Sequence, residues 1–386
     1  MSVRVLVLVK AYAPAEFPTG AQQAHQFVRE LRAGGVDVRV VTTDGNGANA
    51  LDVATGRWTE RDGVPVYYGR RIPRTSDLSW DAWRSFHRES RAAELIHVMG
   101  MFSWINLAAA SASRRRRAPV VVSPRGMLNP EALAFSRWKK AVYFRLGGSR
   151  ALDETAGFHV TSEKERDNVA KLLPRARIAV IPNGVVVPSD DDLAGWASEQ
   201  GDAPTVLFVG RIHPIKNVIP LVRAWASVLP RHPGANLVLA GPDDHGHKAE
   251  VERTIASLGI GAGVRLPGYV GGEALSRLLA TSACLVLPSV AENFGNVVAE
   301  ALAHRRPVVA STGTPWSALR DRGCGFWIEP TVEGLAGAID AALSLTLEER
   351  AAMGERGRRW MIEAFSWSSF ASRMAELYRA LVVNAG

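Results

Sequence analysis

Short apolar runs alternate with amphipathic stretches along almost the whole chain. Val3-Arg4-Val5-Leu6-Val7-Leu8-Val9 is the first run, and its length and β-branched content predict a buried strand. By the same reading strands are expected at 36–42, 94–98, 119–123 and 156–161, then at 177–181, 205–210, 236–240, 264–266, 284–287 and 307–310. Between them, apolar residues recur at helical spacing over 20–34, 77–90, 104–113, 130–150 and 163–173. Residues 345–386 read as helical, with Trp360, Phe365, Trp367, Phe370, Met374, Leu377 and Tyr378 as an apolar stripe. This strand–helix rhythm is that of α/β domains with parallel, doubly wound sheets.

At 386 residues the chain is longer than one core usually holds, so two domains are expected. Val185 to Pro204, with Pro188 and Ser189-Asp190-Asp191-Asp192, is the best linker candidate. A hydrophobic content of 47% and a charged content of 22% describe an ordinary globular protein. No apolar run reaches the roughly 18 residues a membrane span needs. The amino terminus enters its first strand directly, without a secretory pattern. Two cysteines, Cys284 and Cys324, make neither a disulfide framework nor a metal set, so a reducing cytoplasm is expected.

The chemistry concentrates in the second half. The apolar run ending at Pro288-Ser289 leads through Glu292 and Gly295 into a helix marked by Val297, Val298, Ala301 and Leu302. Glu292 therefore falls in a strand-to-helix loop, and Glu300 about one turn inside the helix. A helix amino terminus offers free amides and a partial positive charge, which suit phosphate. One turn is roughly 5.4 Å, so Glu300 can reach a ribose hydroxyl while the amides hold phosphate, and Glu292 faces whatever the phosphate carries. Taken alone, such a pair is more often a loop carboxylate and a surface helix glutamate. About 80 residues earlier, the run Thr205 to Gly210 is followed by Arg211 and Lys216. Two cations at the carboxyl end of a parallel strand suit a pyrophosphate and a departing nucleotide.

Gly210-Arg211-x4-Lys216 followed by Glu292-x-Phe294-Gly295-x4-Glu300 resembles the donor-site signature of retaining glycosyltransferases of the GT4 type. Ile181 to Val185, Leu239 to Asp243, Leu266 to Val270 and Arg306 to Ser311 extend the resemblance, and Ser123 to Leu128 is similar to a subgroup common in surface-polysaccharide assembly. The resemblance implies the GT-B fold: two Rossmann-like domains facing across a cleft, at 1–185 and 186–364, with a last helix, about 365–386, crossing back to the first. It implies a sugar transferred with retention from a nucleotide diphosphate sugar, UDP-sugar favoured, to an acceptor glycan, a lipid-linked sugar or a small molecule, without a divalent metal or other cofactor. Arg211 and Lys216 would hold the diphosphate and Glu300 the ribose. Glu292, with Asn293, Phe294, Gly295, Asn296 and Val297, would hold the sugar and phosphates; Gly210 and Val270 would line the nucleotide. An epimerase on the same fold, or a catalytically silent sugar-nucleotide-binding partner, are the alternatives.

The first half supplies fewer candidates. Gly20 opens a helix where relatives carry two glycines and this chain has Gly20-Ala21; its amide suits a phosphate. His97 ends a strand and reads either as a catalytic contact or as a core histidine. Arg125 is a candidate for an acceptor phosphate. Asp243-Asp244-His245-Gly246-His247 has the composition of a metal cluster, yet the resemblance places it in a variable connector. Asp190 to Asp192 reads as a helix start.

Charge is uneven. Residues 1–190 hold 28 Lys/Arg against 18 Asp/Glu, and residues 191–386 hold 18 against 20. Much of the excess lies in Arg114–Arg117 and in the aromatic, basic segment Leu133–Leu146. That segment suits either a peripheral contact with an anionic membrane, at its inner face, or a core-facing helix with a solvated basic side. Without a recognisable nucleic-acid module, nucleic acid is not expected as a partner.

Overall fold

A computed structural model describes residues 3–15, 20–72, 78–116, 118–134, 137–198, 203–244 and 246–384. The chain divides into two units, Met1–Gly184 with Trp367–Gly386, and Val185–Ser366.

Eight strands form the main sheet of the first unit. In chain order the unit holds β1 (Arg4–Val9), β2 (Asp37–Thr43), a two-stranded ribbon of β3 (Gly45–Asn46) and β4 (Asn49–Ala50), β5 (Trp58–Arg61), β6 (Val64–Gly69), β7 (Leu95–Met99), β8 (Val120–Ser123), β9 (Gly157–Val160) and β10 (Ile178–Val180). The main sheet runs β10-β9-β8-β7-β1-β2-β6-β5, parallel throughout except for β5 against β6. Alternate side chains of each strand enter different cores. Val5, Val7 and Val9 pack with Phe27 of helix Gly20–Ala33 and with Phe370, Met374 and Tyr378. Leu6 and Leu8 pack with Phe86, Ala109 and Leu152 on the other face.

The second unit is a six-stranded, wholly parallel sheet. Its strands are β11 (Thr205–Val209), β12 (Asn236–Ala240), β13 (Val264–Gly268), β14 (Cys284–Leu287), β15 (Val308–Ser311) and β16 (Gly325–Ile328), in the order β13-β12-β11-β14-β15-β16. The winding reverses between β11 and β14, which pair side by side. In open parallel sheets, that reversal opens a crevice at the strands' carboxyl ends.

Several expectations are corrected. Residues 130–150 form Pro130–Ala134, Arg137–Tyr143, a π-helical turn Phe144–Gly148 and Ser149–Asp153, with Gly147 at φ 112° breaking the run. The expected linker contains helix Asp190–Ala197, capped by Ser189 and Asp192 acting on each other's backbone amides. The apolar stripe of the last 42 residues divides between the units close to the expected boundary, with Phe365 falling in the second unit. Helix Leu347–Ala364, with Trp360 and the following Phe365, packs in the second unit, whereas helix Trp367–Val383 joins the first. The hairpin β5–β6 and strand β16 had no counterpart in the expected pattern.

Candidate functional site

The candidate residues gather where the second sheet reverses. After β11 the chain continues through Gly210 and Arg211 into a short 3₁₀ turn, Pro214–Lys216. His213 caps that turn through Nδ1, which accepts from the Ile215 amide at 3.1 Å. Asn217 closes it in the left-handed region at φ 59°, its side-chain amide donating to the Pro330 carbonyl at 2.8 Å. Lys216 is thereby aimed at the loop after β14, where its ammonium donates to Glu292 Oε2. Both side chains are largely covered, at 14% and 16% exposure. The two loops are joined a second time by the Val290 amide donating to the Ile215 carbonyl at 2.9 Å. Cation and carboxylate, 76 residues apart in sequence, thus form one ion pair at the sheet's switch point.

A third loop holds the second in place. Ser311, at the end of β15, donates to the Ser289 carbonyl, and the Gly313 carbonyl accepts from the Glu292 amide at 3.0 Å. Trp316 donates its indole N–H to the Phe294 carbonyl. Beneath it, Phe294, Trp316, Trp360 and Phe365 pack ring against ring at 5.2 to 6.0 Å. This scaffold sets the conformation at Gly295, whose φ of 77° strains any other residue and where an added Cβ would crowd Leu287 Cδ2 at 3.0 Å and Glu292 Cγ at 3.2 Å. Helix Asn296–Ala303 starts directly after it, so its first amides face the same crevice as Lys216 and Glu292.

Glu300 lies in that helix, partly covered. Its carboxylate has no hydrogen-bond or ion-pair partner among the described residues. Burial disfavours its charged form and pushes its pKa up to about 7. A desolvated acceptor with unused lone pairs is suited to a ligand hydroxyl. Arg211, 45% exposed, pairs with Asp244 beyond the neighbouring strand β12. Val270 follows β13, partly buried against the core, with Tyr269 beside it at 45% exposure.

Gly20 and Arg125 meet in the first unit. A Cβ on Gly20 would lie 3.9 Å from Arg125 Nη2, and that guanidinium donates to Gln23 Oε1 at 2.9 Å. Burial lowers the Arg125 pKa, partly offset by Glu165. Glu165 itself is spent on backbone, accepting from the Gly126 amide at 2.7 Å and the Thr161 amide at 2.9 Å. The remaining candidates, His97 apart, belong to the second unit.

The assignment of His97 to catalysis is corrected. His97 is 0% exposed, in a polar chain that crosses the first unit's core. His159 Nε2 lies 2.9 Å from the Ile181 carbonyl, which only accepts, so that nitrogen carries the proton. Ser123 then donates to His159 Nδ1 at 2.7 Å and accepts from His97 Nε2–H at 2.7 Å. His97 Nδ1 is left to accept from the Tyr378 hydroxyl at 2.6 Å. One carbonyl fixes every proton in the chain. Burial holds His159 down at about 4 and His97 well below the usual histidine range. Replacing His97 with leucine is expected to cost about 2–4 kcal/mol, because two buried hydroxyls lose partners. Urea denaturation of wild type and variant checks it.

In the connector after β12, Asp243 accepts from the Lys248 amide at 2.9 Å, and His247 pairs with Glu250 at 3.1 Å. His245 lies outside the described residues, among which no His/Cys/Asp/Glu group suited to a metal occurs. Asp244, which the sequence offers only as part of a connector with a metal-like composition, instead pairs with Arg211, and Trp316 joins the site with no signal in the sequence.

Residues 195–360 match the family model described as glycosyl transferases group 1, and residues 19–184 match a glycosyl transferase 4-like domain. An uncharacterized glycosyltransferase of Methanocaldococcus jannaschii is 30% identical over 55% of this chain and 56% of its own length. A D-inositol 3-phosphate glycosyltransferase of Kineococcus radiotolerans is 28% identical over 77% of this chain and 74% of its own. The chain spans about half the length of several of the curated relatives it matches. Among solved structures, Anabaena HepE in complex with UDP and glucose superposes with a TM-score of 0.77 at 19% identity, over 98% of this chain and 100% of that one. The shared architecture is GT-B.

Proposed function

Because this chain belongs to the group 1 glycosyltransferases, we propose that it moves a sugar from a nucleoside diphosphate sugar to an acceptor hydroxyl, with retention at the anomeric carbon. The observation that carries this reading is the Lys216–Glu292 pair at the sheet's switch point, beside a helix amino terminus and the unpartnered Glu300. Lys216 exchanges Glu292 for the donor's diphosphate, helped by Arg211 and the amides of Gly295 and Asn296. Glu292, released, faces the sugar with Asn293, Phe294 and Val297 around it. Glu300 accepts from the ribose, and Gly210 and Val270 line the nucleotide. UDP is favoured as the nucleotide, in keeping with the ligand of the HepE structure.

In the first unit, Arg125 beside Gly20 is the acceptor's anchor. The name of the Kineococcus relative, whose acceptor carries a phosphate, supports an anionic acceptor. The C1–phosphate bond breaks while the acceptor oxygen bonds to C1 on the same face, and the departing phosphate oxygen takes the hydroxyl proton. Such a step needs no protein nucleophile, and we expect turnover to survive chelation of divalent metals. Mass spectrometry of UDP-, GDP- and ADP-sugars incubated with the protein and candidate acceptors tests the reading. Acceptor-dependent release of nucleoside diphosphate supports it; no turnover of any donor, or isomerised donor without transfer, counts against it.

Glu300 predicts a pH dependence. Donor affinity should weaken several-fold as pH falls through about 7, because the protonated carboxyl loses acceptor capacity. Its folded pKa is raised, so charging it costs stability from about 4.5 upward, and the cost is complete above about 7. Glu300→Gln should flatten the affinity profile and gain in relative melting temperature toward pH 8. Donor titrations and thermal melts across pH measure both.

A further inference from the structure

The first unit carries a surface that the transfer chemistry leaves unused. In helix Arg137–Tyr143 and the turn Phe144–Gly148, Tyr143 and Phe144 point inward, where their rings meet Phe102 edge-on at 5.4 and 5.7 Å. Lys140 is drawn inward too: its ammonium stands 5.2 Å from the Phe102 ring centre and donates to the Ala132 carbonyl. The outward side is apolar. Trp138, Val142 and Leu146, spaced by four, are 69%, 46% and 72% exposed. A helix with a merely solvated outer face would carry polar residues there.

Arginines border this stripe. Arg137 and Arg145 are exposed, and neither has an ion-pair partner among the described residues. Helix Trp80–Glu89 covers the same face of the sheet, since its Phe86 shares a core with Leu152 and with Phe144 packed against it. It presents Trp80 and Trp83, also exposed, beside exposed Arg84 and Arg88. Of the acidic groups nearby, Glu154 is taken by Arg150 at 2.8 Å and Glu89 by Arg39 at 3.0 Å. Asp81, half-buried on the same helix, accepts from the Arg70 amide at 3.1 Å, and exposed Glu131 and Asp153 remain.

We propose that this face rests on an anionic lipid surface. Trp138, Val142 and Leu146 enter the boundary between headgroups and acyl chains, and Arg137 and Arg145 lie against lipid phosphates. Tryptophan suits that boundary because one ring offers an apolar body and a polar N–H. Charge favours a bilayer over a second copy of the chain, since a two-fold interface would bring two faces rich in unpaired arginine together. An anionic bilayer satisfies the apolar stripe and the arginines together.

Co-sedimentation of the full chain with phosphatidylcholine vesicles, with and without phosphatidylglycerol, tests this. We expect sedimentation with the anionic vesicles only, weakening as salt is raised. Trp138→Ser with Leu146→Ser should weaken it about tenfold or more, and so should Arg137→Glu with Arg145→Glu. Circular dichroism and donor turnover in solution should stay unchanged in both, which separates this result from the transferase reading. Equal binding to neutral vesicles, no binding to either, or binding unaffected by both double variants overturns the proposal. So does self-association, or binding of a single-stranded RNA, that the same variants abolish.

Discussion

Lys216→Ala is expected to lower donor turnover by about 10²–10³-fold, the range seen when one preorganised partner of a developing charge is removed. The ammonium is held by the Pro214–Lys216 turn and the Asn217 anchor, so under the proposed function it would meet the charge of a leaving diphosphate with little reorganisation. Most of the loss should appear in kcat, because the charge on the leaving group grows toward the transition state. Lys216→Arg should restore only part of it, a planar fork being a poor substitute for a point charge in a covered site. Arg211→Ala should cost less, since Arg211 is 45% exposed and already paired with Asp244. Steady-state kinetics with the best donor measure all three.

Gly313→Ala is expected to weaken donor binding about tenfold or more and to destabilise the second unit by about 1–3 kcal/mol. A Cβ at this position would stand 2.2 Å from the Ser289 carbonyl oxygen and 2.3 Å from that of Val290. Both are backbone atoms and cannot rotate aside. The Glu292 loop must therefore shift, taking with it the Glu292 amide bond to the Gly313 carbonyl. Trp316→Phe is the gentler form of the same test. It keeps most of the ring packing and removes only the N–H that holds the Phe294 carbonyl. It should reproduce the affinity loss with a smaller loss of stability. Calorimetric titration and chemical denaturation separate the two effects.

What could be read from the chain followed the range of the interactions. The buried strands and the Gly210–Lys216 and Glu292–Glu300 motifs are local patterns, so they stood out in one dimension. The hairpin of β5 and β6 is equally local: it turns at Asp62-Gly63, both with positive φ, a recognised two-residue turn signal, although Pro65 interrupts the run of its second strand. Asp244 was not legible, because its meeting with Arg211 depends on β12 lying beside β11. Trp316 gave no periodic signal; its role follows from the packing of β15 beside β14. His97 shows the limit most plainly. Its burial is settled by Ser123, His159 and a tyrosine 281 residues away, which the strand containing it does not reveal. The segment Leu133–Leu146 was ambiguous for a related reason. Its basic residues and aromatics are visible in sequence, but which of them turn inward depends on Phe102.

Binding of UDP to the crevice at the ends of β11 and β14 is the step on which the rest depends. Calorimetric titration of UDP into the wild-type chain, Lys216→Ala and Glu300→Gln measures it directly, with the fold of each variant checked by circular dichroism. We expect one site in the wild type, unchanged by chelator, and clearly weakened in both variants. Equal affinity in all three proteins, or no UDP, GDP or ADP binding by a folded wild type, would contradict the placement of the donor at Lys216, Glu292 and Glu300.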